Sequence, residues 1–586
     1  MGYAIKISFA EKGGILSRLF LWKRRIFMGK YGCGIIFFLI FLTTAGLSYA
    51  ENNVLSGPVD LTLEPVLSSE WAGYIQDETL YIRRFRDEPI RIASGKEAGA
   101  VITDPHILVI GKKVFVSYVE RVMDNSRLLL TALVSDQDKI SREEKEISKG
   151  GTILQTHLLN DEKDRLFLIE LVSGKKHEIV VHLSSNGGDS FQKIKLETDE
   201  TDSVLGSRPI VINDVLYLFS VFSRQEKTFV GLSAFEMPAL KLLESRVLKE
   251  SGGVSFIEAV KVIDRPMLIY KSYHANKFGL EGFIKSEGLW EQFNIKDAQD
   301  MDVARINAYV WSDGRILIVY SGEERDKFKQ RIYAAVSEDK GRNWSVKRID
   351  DKEFDNTRSW LPRIAVEGDK VMVVWEDARD IRSEVMMKLS RDRGKTWLKN
   401  NRPVSNPKHY SFRPRISFAE GTFYIAWHQF RDDEKKTADM AFMRISWDDA
   451  VGMNSQKPDG ITNEKKEALL RGRVNAYWKG MVEKDLNVTY AIHDPFFRAR
   501  MPFDYYSAHR GPMVYHSYSM ESSRIEGNIA YVRVKVRYEV PKLTILGKDT
   551  AIPPKEIMTE DTYLFIDGMW YRQFVDAMSG GSAIEY

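Results

Sequence analysis

An eight-residue string that recurs at a regular spacing constrains the fold of this chain most strongly. The string is SEDKGRNW at Ser337–Trp344 and SRDRGKTW at Ser390–Trp397, and a weaker copy, SSNGGDSF, occupies Ser184–Phe191. Each copy follows a run of residues that is typical of a β-strand. Three copies in one phase are unlikely to arise by chance, so the string predicts a repeated structural unit.

The residue types in the string are those of a tight β-turn. A carboxylate or amide at the third position can accept hydrogen bonds from backbone N–H groups, and a glycine at the fifth position suits a positive φ. We expect the ring at the eighth position to fold under the turn, between neighbouring sheets. The residues concerned are Ser184, Asn186, Gly188 and Phe191; Ser337, Asp339, Gly341 and Trp344; and Ser390, Asp392, Gly394 and Trp397.

The spacing of the serines predicts further copies. Ser135, Ser233, Ser286 and Ser446 fall in phase with the three strings, and the successive spacings are 49, 49, 53, 51, 53 and 56 residues. A period of this size in β-patterned sequence indicates a propeller, in which each repeat is one four-stranded blade. We predict a mainly β fold with a seven-bladed propeller over residues 56–454, with six or eight blades as alternatives.

The S-x-D-x-G-x-x-W strings at Ser337 and Ser390 resemble the Asp-box, or BNR repeat, of sialidase-like β-propellers. The flanking strings VVWEDARD and IAWHQFRDD also resemble strands of that superfamily. The resemblance implies a propeller fold and no particular activity, because Asp-boxes lie on the outer rim of the blades. Residues 51–100 read as strands without a full blade, and we expect an early strand, DEPIRIAS, to close the ring.

Charge and cysteine content limit the function classes. The chain has 85 basic and 82 acidic residues and a net charge of +3, so a nucleic-acid partner is not predicted. The single cysteine, Cys33, lies in the leader, so no disulfide framework is expected. The ten histidines show no metal-ligand spacing and no cofactor motif is present, so we predict no metal and no cofactor.

The first 50 residues are typical of an export signal. An apolar run at 31–50 follows four basic residues and ends in small residues, and Met28 begins a leader of ordinary length. We predict a cleaved signal peptide and a periplasmic or secreted protein. The alternative is an uncleaved segment that anchors the chain in a membrane.

Four arginines are candidate binding residues of the propeller. Arg208, Arg305, Arg363 and Arg415 stand just before the predicted first strands, and could gather at one channel mouth to bind a carboxylate or phosphate. The resemblance implies an arginine triad of this kind in sialidases. The alternative is pairing within or between blades, with Asp377, Asp380, Asp432 or Asp433.

The aromatic residues near these strands have two interpretations. Trp360, Trp375, Trp427 and His428 could form a rim that stacks sugars or peptides, or the strand tryptophans could be blade core. A sialidase also needs a tyrosine nucleophile beside a glutamate and an aspartate acid/base. No arrangement resembling that set is found, and the family's F-R-I-P string is absent, so no catalytic residue is assigned.

A second domain is predicted after a linker at 455–463. Residues 464–577 begin with an amphipathic helix capped by Thr462 or Asn463 and continue with a short helix and antiparallel strands. This order resembles the ketosteroid-isomerase-like, or nuclear-transport-factor-like, cone fold, which implies a pocket. The candidate pocket residues are His493, Asp494, Tyr505, Tyr515 and His516, with Tyr506 and His509 nearby. Residues 578–586 read as a frayed tail.

The sequence favours recognition over catalysis. The propeller would bind a glycan, a peptide or an envelope protein, and the cone domain would bind a small ligand or form a homodimer. The alternatives are a sialidase-like glycoside hydrolase at the channel and a scaffold for envelope assembly. Contact with a membrane is expected only through an uncleaved leader.

Overall fold

The structure is a computed structural model that describes residues 54–582, apart from 60–63, 86, 96–98, 137–138, 174–176, 197–202, 226, 252, 275–276, 325–328, 352–356, 432–436, 454–460, 510, 546–547 and 577–580. The predicted signal peptide, Asp432, Asp433 and most of the predicted linker lie outside the described residues. Among the described residues, no helix is both long and apolar enough to cross a membrane.

The described chain folds into eight four-stranded antiparallel sheets followed by an α+β unit. A single early strand, β1, spans Val54–Val59. Sheet 1 contains β2 (Val66–Ser68), β3 (Trp71–Gln76), β4 (Thr79–Arg84) and β5 (Ile90–Ser94), and sheet 2 contains β6 (Val101–Ile110), β7 (Lys113–Val122), β8 (Asn125–Asp136) and β9 (Lys139–Lys149). Sheet 3 contains β10 (Thr152–Asn160), β11 (Leu166–Ser173), β12 (Glu178–Ser184) and β13 (Gln192–Leu196), and sheet 4 contains β14 (Ser203–Ile212), β15 (Val215–Arg224), β16 (Lys227–Glu236) and β17 (Lys241–Ser251).

The remaining four sheets follow the same up-and-down order. Sheet 5 contains β18 (Gly253–Val262), β19 (Arg265–His274), β20 (Lys277–Ser286) and β21 (Leu289–Asn294), and a 3₁₀ helix spans Lys296–Ala298. Sheet 6 contains β22 (Met301–Val310), β23 (Ile316–Glu324), β24 (Gln330–Ser337) and β25 (Ser345–Arg348), and sheet 7 contains β26 (Ser359–Glu367), β27 (Lys370–Asp380), β28 (Arg382–Ser390) and β29 (Arg402–Pro403). Sheet 8 contains β30 (Ser411–Ala419), β31 (Thr422–Phe430) and β32 (Ala438–Ile445), and β1 pairs with β32 as its fourth strand.

The eight sheets form a closed ring, which is the arrangement of a β-propeller. The first strand of each sheet contacts the first strand of the next, and β30 of sheet 8 contacts β2 of sheet 1. A separate apolar cluster fills each of the eight junctions between successive sheets, from sheets 1 and 2 around to sheets 8 and 1. Packing of this kind buries both faces of every sheet and leaves no sheet without a neighbour.

The ring contains eight sheets, which is one of the alternatives to the favoured count of seven. The extra sheet is sheet 1, whose strands are short and whose third strand, β4, is not followed by the serine turn that marks the other repeats. The strand that closes the ring is also different from the one predicted. DEPIRIAS contributes β5 of sheet 1, whereas Val54–Val59 completes sheet 8.

The periodic serines occupy equivalent places in the ring. Each lies on or directly after the third strand of its sheet, from Ser135 in β8 to Ser446 after β32. In the three strong copies the serine Oγ accepts from the N–H of the glycine at 2.8–2.9 Å, and the third-position oxygen accepts from the backbone N–H of the seventh residue at 2.8–3.0 Å. The predicted turn chemistry is therefore observed.

The glycine and the ring of each turn also have the predicted geometry. Gly188, Gly341 and Gly394 have φ values of 91°, 90° and 85°. Trp344 packs into the cluster between sheets 5 and 6, where its ring stacks on Phe293. Trp397 and Phe191 pack at the junctions between sheets 6 and 7 and between sheets 2 and 3.

We expect Gly341→Ala to destabilise the protein by about 1–3 kcal/mol. The new Cβ would combine a φ of 90° with a contact of 2.4 Å to Met267 Cε. Gly288→Ala is the matched control, because Gly288 has a φ of 84° and open space around its Cβ position. Urea denaturation of both variants measures the cost of crowding as the difference between them; equal losses would contradict the packing of this turn.

In the C-terminal unit, helices precede the strands as we predicted, but two short helices follow the predicted pair. After α1 (Trp447–Gly452), the helices are α2 (Asn463–Glu483), α3 (Leu486–Ile492), α4 (Pro495–Arg500) and α5 (Phe503–Ala508). The strands are β33 (Val514–Glu526), β34 (Ile529–Ile545), β35 (Lys548–Ile566) and β36 (Met569–Arg572), followed by a pair formed by β37 (Val575–Asp576) and β38 (Gly581–Ser582). Thr462 caps α2, whose apolar face packs on the sheet.

The C-terminal unit packs on the ring where sheets 7, 8 and 1 meet. Phe496, Ile529, Leu564 and Ile566 share one apolar cluster with residues of these three sheets. Asn528 donates to Asp380 Oδ1 at 2.8 Å and to Arg379 O at 3.1 Å. The two parts of the chain therefore share a buried interface.

Candidate functional site

The first strands contact one another around the centre of the ring and line its channel. In sheets 2 to 8 these strands share an irregularity. Each contains a β-bulge or register shift near its start, where it pairs with the second strand of the same sheet. Asp104, Arg305, Leu361 and Arg413 have positive φ values of 49–57° at these bulges. A bulge turns side chains away from the regular alternation, and bulges are common next to binding sites.

A polar residue recurs at one position in the first strands of sheets 2 to 8, and just before β2 in sheet 1. Counted in residue pairs from the hairpin that joins the first and second strands, it belongs to the fifth pair. In sheets 3 and 6 the count includes the pair at the turn itself, and in sheet 1 the register of β2 is extended by two residues. We call these residues the channel ring. From sheet 1 to sheet 8 they are Glu64, His106, His157, Arg208, Glu258, Asn307, Arg363 and Arg415.

Four arginines of sheets 6, 7 and 8 surround the single carboxylate of Glu64. Arg415 Nη2 forms a short ion pair with Glu64 Oε2, and Arg415 Nε donates to Pro65 O at 3.1 Å. Arg363 Nη2 lies 3.5 Å from the same Glu64 oxygen. Arg305 and Arg413 act on Glu64 through space from the bulges. This group, the arginine cluster, bridges the junction at which sheet 8 meets sheet 1.

The pKa of Glu64 reports the strength of this positive field. Burial raises the pKa of Glu64, but Arg415, Arg363, Arg305 and Arg413 outweigh it and lower the pKa to about 2. Burial and the neighbouring Arg415 lower the pKa of Arg363 to about 9, so its guanidinium remains charged at neutral pH. Its Nε is buried and has no hydrogen-bond partner among the described residues.

Two further buried groups beside the cluster are uncharged at neutral pH. Burial raises the pKa of Glu376 to about 8, although its carboxyl accepts from Arg413 N at 3.1 Å and from Ser383 Oγ at 3.0 Å. Burial and then Arg413 lower the pKa of His428 to about 3. Neither group therefore adds to the negative charge that Glu64 places beside these guanidinium groups.

A cavity of about 450 Å³ lies against the arginine cluster. Its charged and polar lining comprises Glu64, Asp104, His106, Asn307, Arg363 and Arg415. Pro105, Ile364 and Ile416 provide apolar surface between these groups. This volume and mixture of groups are typical of sites for small ligands.

The four predicted arginines do not all belong to this site. Arg363 and Arg415 contact Glu64 directly, and Arg305 lies in the bulge of β22. Arg208 donates instead to Ile257 O at 3.1 Å and lies 3.9 Å from Glu258. All four lie inside the first strands, at or after the register shifts, and not before the strands as we expected, because the shifts break the apolar alternation that marks a strand in sequence.

The alternative partners proposed for these arginines are engaged elsewhere. Asp377 accepts from Arg379, and Asp380 accepts from Asn528. The wall formed by sheets 2 and 3 is held by other bonds. Asp104 Oδ2 accepts from Thr156 Oγ1 at 2.7 Å, and His157 Nε2 lies 3.2 Å from Ser207 Oγ.

The aromatic candidates divide between core and surface. Trp375 and Trp427 are fully buried and belong to the junction clusters, which is the core interpretation. His428 is also buried. Trp360 is half-buried, and the guanidinium of Arg358 lies 4.0 Å from the centre of its ring.

Tyrosines that donate to glutamates lie away from the arginine cluster. Tyr118 donates to Glu144, and Tyr270 donates to Glu281. These residues occupy the second, third or fourth strands of sheets 2 and 5, whereas the arginine cluster is built on first strands. They do not provide a nucleophile pair at the cavity.

The candidate residues of the C-terminal unit are not brought together. Asp494 caps α4 by accepting from Phe497 N, and its other carboxyl oxygen accepts from Phe574 N. His493 is packed among the rings of Tyr477, Phe497 and Tyr506.

The other three candidates of this unit lie apart. Tyr505 is exposed and stacks on His509, Tyr515 packs on Trp478, and His516 lies 3.4 Å from Glu539. Within the described part of the chain, no group of three or more His, Cys, Asp or Glu residues is placed to hold a metal ion.

The channel ring contains five residues that the sequence analysis missed. Glu64, His106, His157, Glu258 and Asn307 recur in phase with Arg208, Arg363 and Arg415, each a fixed number of pairs from a hairpin. A search for any polar residue at that phase would have found them. Restricting the search to arginine concealed the repeat.

Comparisons with known proteins give only distant similarity. No protein-family model and no curated protein matches the chain. The polysaccharide lyase Uly1 is similar in structure, with 9% identity over 58% of this chain and 89% of its own and a TM-score of 0.41.

Two further solved structures are similar at comparable levels. An ulvan lyase of the PL25 polysaccharide lyases has 10% identity over 70% of this chain and 100% of its own, with a TM-score of 0.36. The GH93 α-L-arabinofuranosidase of Fusarium graminearum has 12% identity over 50% and 93%, with a TM-score of 0.33. Similarity at this level carries no argument about activity.

Proposed function

We propose that the protein is an exported recognition protein whose channel binds a carboxylate-bearing glycan without cleaving it. The observation that carries the proposal is the arrangement of four arginines around Glu64 at a cavity of about 450 Å³. Guanidinium groups bind carboxylates through paired, charge-assisted hydrogen bonds, and a low-dielectric site strengthens them.

The balance of charge at the site favours an anionic ligand. Arg305, Arg363, Arg413 and Arg415 contribute four positive charges, whereas Glu64 and the cavity-lining Asp104 supply two negative charges. Because Glu376 is protonated at neutral pH, it does not offset the arginines. A ligand carboxylate would reduce the repulsion between the guanidinium groups as well as bind them.

The remaining lining supports a sugar as the carrier of the carboxylate. Asn307 and His106 offer polar groups, and Ile364 and Ile416 offer apolar surface of the kind that packs on a pyranose face. Trp360, on the same strand as Arg363, presents a half-buried ring near the bulge. We assign the C-terminal unit, a cone domain by resemblance, a structural or dimerising role.

We expect Arg363→Met to weaken binding of a uronic-acid oligosaccharide by at least about tenfold, because a hydrogen bond to a charged group contributes about 1.5–3 kcal/mol. Isothermal titration calorimetry would compare the variant with Arg246→Met, whose arginine is exposed on β17 and pairs with Glu244. Equal affinities of the two variants for the ligand would contradict the proposed site.

The absence of cleavage is tested separately. NMR spectra of the oligosaccharide incubated with the protein for a day should show no new reducing end and no new unsaturated sugar. Turnover that Arg363→Met abolishes would support a hydrolase or lyase at the channel instead of a recognition protein.

A further inference from the structure

Exposed apolar side chains form a lip on one arc of the ring, from sheet 2 to sheet 4. We define the apolar lip as Val101, Val122, Met123, Leu154 and Leu205, which belong to sheets 2, 3 and 4. Their exposed fractions are 64%, 47%, 91%, 46% and 59%. Single exposed apolar residues are common in proteins, whereas a contiguous group often marks a binding surface.

Hydrogen bonds between neighbouring sheets hold the segments that carry the lip residues side by side. Thr152 Oγ1 donates to Asp124 O at 3.0 Å, which holds the turn after Met123 beside the start of β10. Ser207 N donates to Gln155 Oε1 at 3.0 Å, which holds the first half of β14 beside the first half of β10. Val101 and Val122 flank Arg121, which pairs with Val101 across β6 and β7.

The lip has a fixed relation to the channel. Leu154 and Leu205 each stand three residues before a member of the channel ring, His157 and Arg208, and Val101 stands three residues before Asp104 at the cavity wall. Three strand residues span about 10 Å. A molecule that contacts Asp104 in the cavity and extends by that distance along β6 would reach Val101, at the edge of the lip.

In sheet 8, the C-terminal unit buries an apolar side chain that stands three residues before the channel ring. Phe412 stands three residues before Arg415, and it is completely buried in the cluster that contains Phe496 and Ile529 of the C-terminal unit. The C-terminal unit therefore provides apolar cover over sheet 8. On sheets 3 and 4, Leu154 and Leu205 also stand three residues before the channel ring, but they lie at the register shift itself and are exposed in the described part of the chain.

We propose that the ligand of the channel is an acidic glycolipid, whose carboxylate binds the arginine cluster and whose alkyl chain lies on the apolar lip. The inference rests on the proposed function and adds the apolar carrier to the acidic sugar. The positive charge of the arginine cluster suits the acidic headgroup, and the exposed leucines and methionine of the lip suit the alkyl chain. Burial of the chain against these side chains removes apolar area from water.

The test uses three probes that differ in one part each. Methyl β-D-glucuronide carries the acidic headgroup, octyl β-D-glucuronide adds the chain, and octyl β-D-glucoside keeps the chain without the carboxylate. Calorimetry on the full chain, with every probe below the concentration at which it forms micelles, should give at least about tenfold tighter binding of the octyl glucuronide than of the methyl glucuronide, since each fully buried methylene contributes up to about fourfold.

Two sets of variants test whether the alkyl chain of the ligand lies on the apolar lip. Met123→Ser, Leu154→Ser and Leu205→Ser together should remove the advantage of the octyl chain and leave binding of methyl glucuronide unchanged. Leu242→Ser with Leu243→Ser is the matched control, because these leucines are 55% and 52% exposed on the outer strand β17. All five residues are exposed, so their replacement should not prevent folding.

Each other outcome overturns the inference in a distinguishable way. Equal affinities for the methyl and octyl glucuronides would overturn the role of the lip and leave the proposed function intact. Octyl glucoside binding as tightly as octyl glucuronide would show that the lip acts without the arginine cluster. If neither glucuronide binds, the proposed function fails together with the inference.

Discussion

Glu64→Gln is expected to lower the free energy of unfolding at pH 7 by on the order of 3 kcal/mol. The folded-state pKa of Glu64 is about 2, below its usual 4.5, because Arg415 and three further arginines outweigh the effect of burial. A depressed carboxyl pKa contributes stability above pH 4.5, and that contribution is lost as the pH falls from 4.5 to 2. The Glu64→Gln variant lacks this contribution to stability at every pH.

The measurement is urea denaturation of both proteins at pH 7 and near pH 2.5. The difference between the two proteins should shrink toward zero at the lower pH, whereas a difference that is the same at both would contradict the assignment. The same variant should bind a uronic acid more tightly than the natural chain, because Glu64 competes with the ligand for Arg363 and Arg415. Lower stability with higher affinity separates the two roles of this carboxylate.

Glu376→Gln is expected to have the opposite effect on stability. Burial raises the pKa of Glu376 to about 8, so the folded protein holds a proton that the unfolded chain releases above pH 4.5. The natural protein therefore loses stability as the pH rises from 4.5 to 8, and the loss is complete above pH 8. Glutamine has the same shape and never ionises, so we expect a gain of a few kcal/mol at pH 9 and about none at pH 4.5.

Thermal unfolding at the two pH values checks this expectation. Glu143→Gln is the control, because the side chain of Glu143 is 62% exposed. It should change the melting temperature little at either pH. A variant at Glu376 that is less stable than the natural protein at pH 9 would contradict the buried, protonated carboxyl.

The repeat was visible in sequence because the turn depends on local chemistry. Ser337, Asp339 and Gly341 bond to one another within five residues, so the pattern appears wherever the turn is strong. Sheet 1 has no such turn, and its short strands are held by packing against sheets 2 and 8. Packing between distant segments leaves no local pattern, which explains why the periodic serines favoured seven sheets and left eight as an alternative.

The site was harder to predict for a related reason. Arg363 and Arg415 were found because arginines at repeated positions are conspicuous, but their partner Glu64 lies about 300 residues away in sequence. Only closure of the ring brings it to them. The bulges add to the difficulty, because they break the apolar alternation of the first strands at the residues that line the channel.

The pairing of β1 with β32 has a consequence for biosynthesis. The strand that completes sheet 8 is made first, and its partner is made after all the other sheets. A nascent chain can stack early sheets as it emerges, but it cannot form its last hydrogen-bonded seam until both distant segments are available, and contacts between distant segments slow folding. A chain that ends before Ile445, or that begins after Val54, should therefore leave sheet 8 incomplete and the ring open, with an unpaired strand edge.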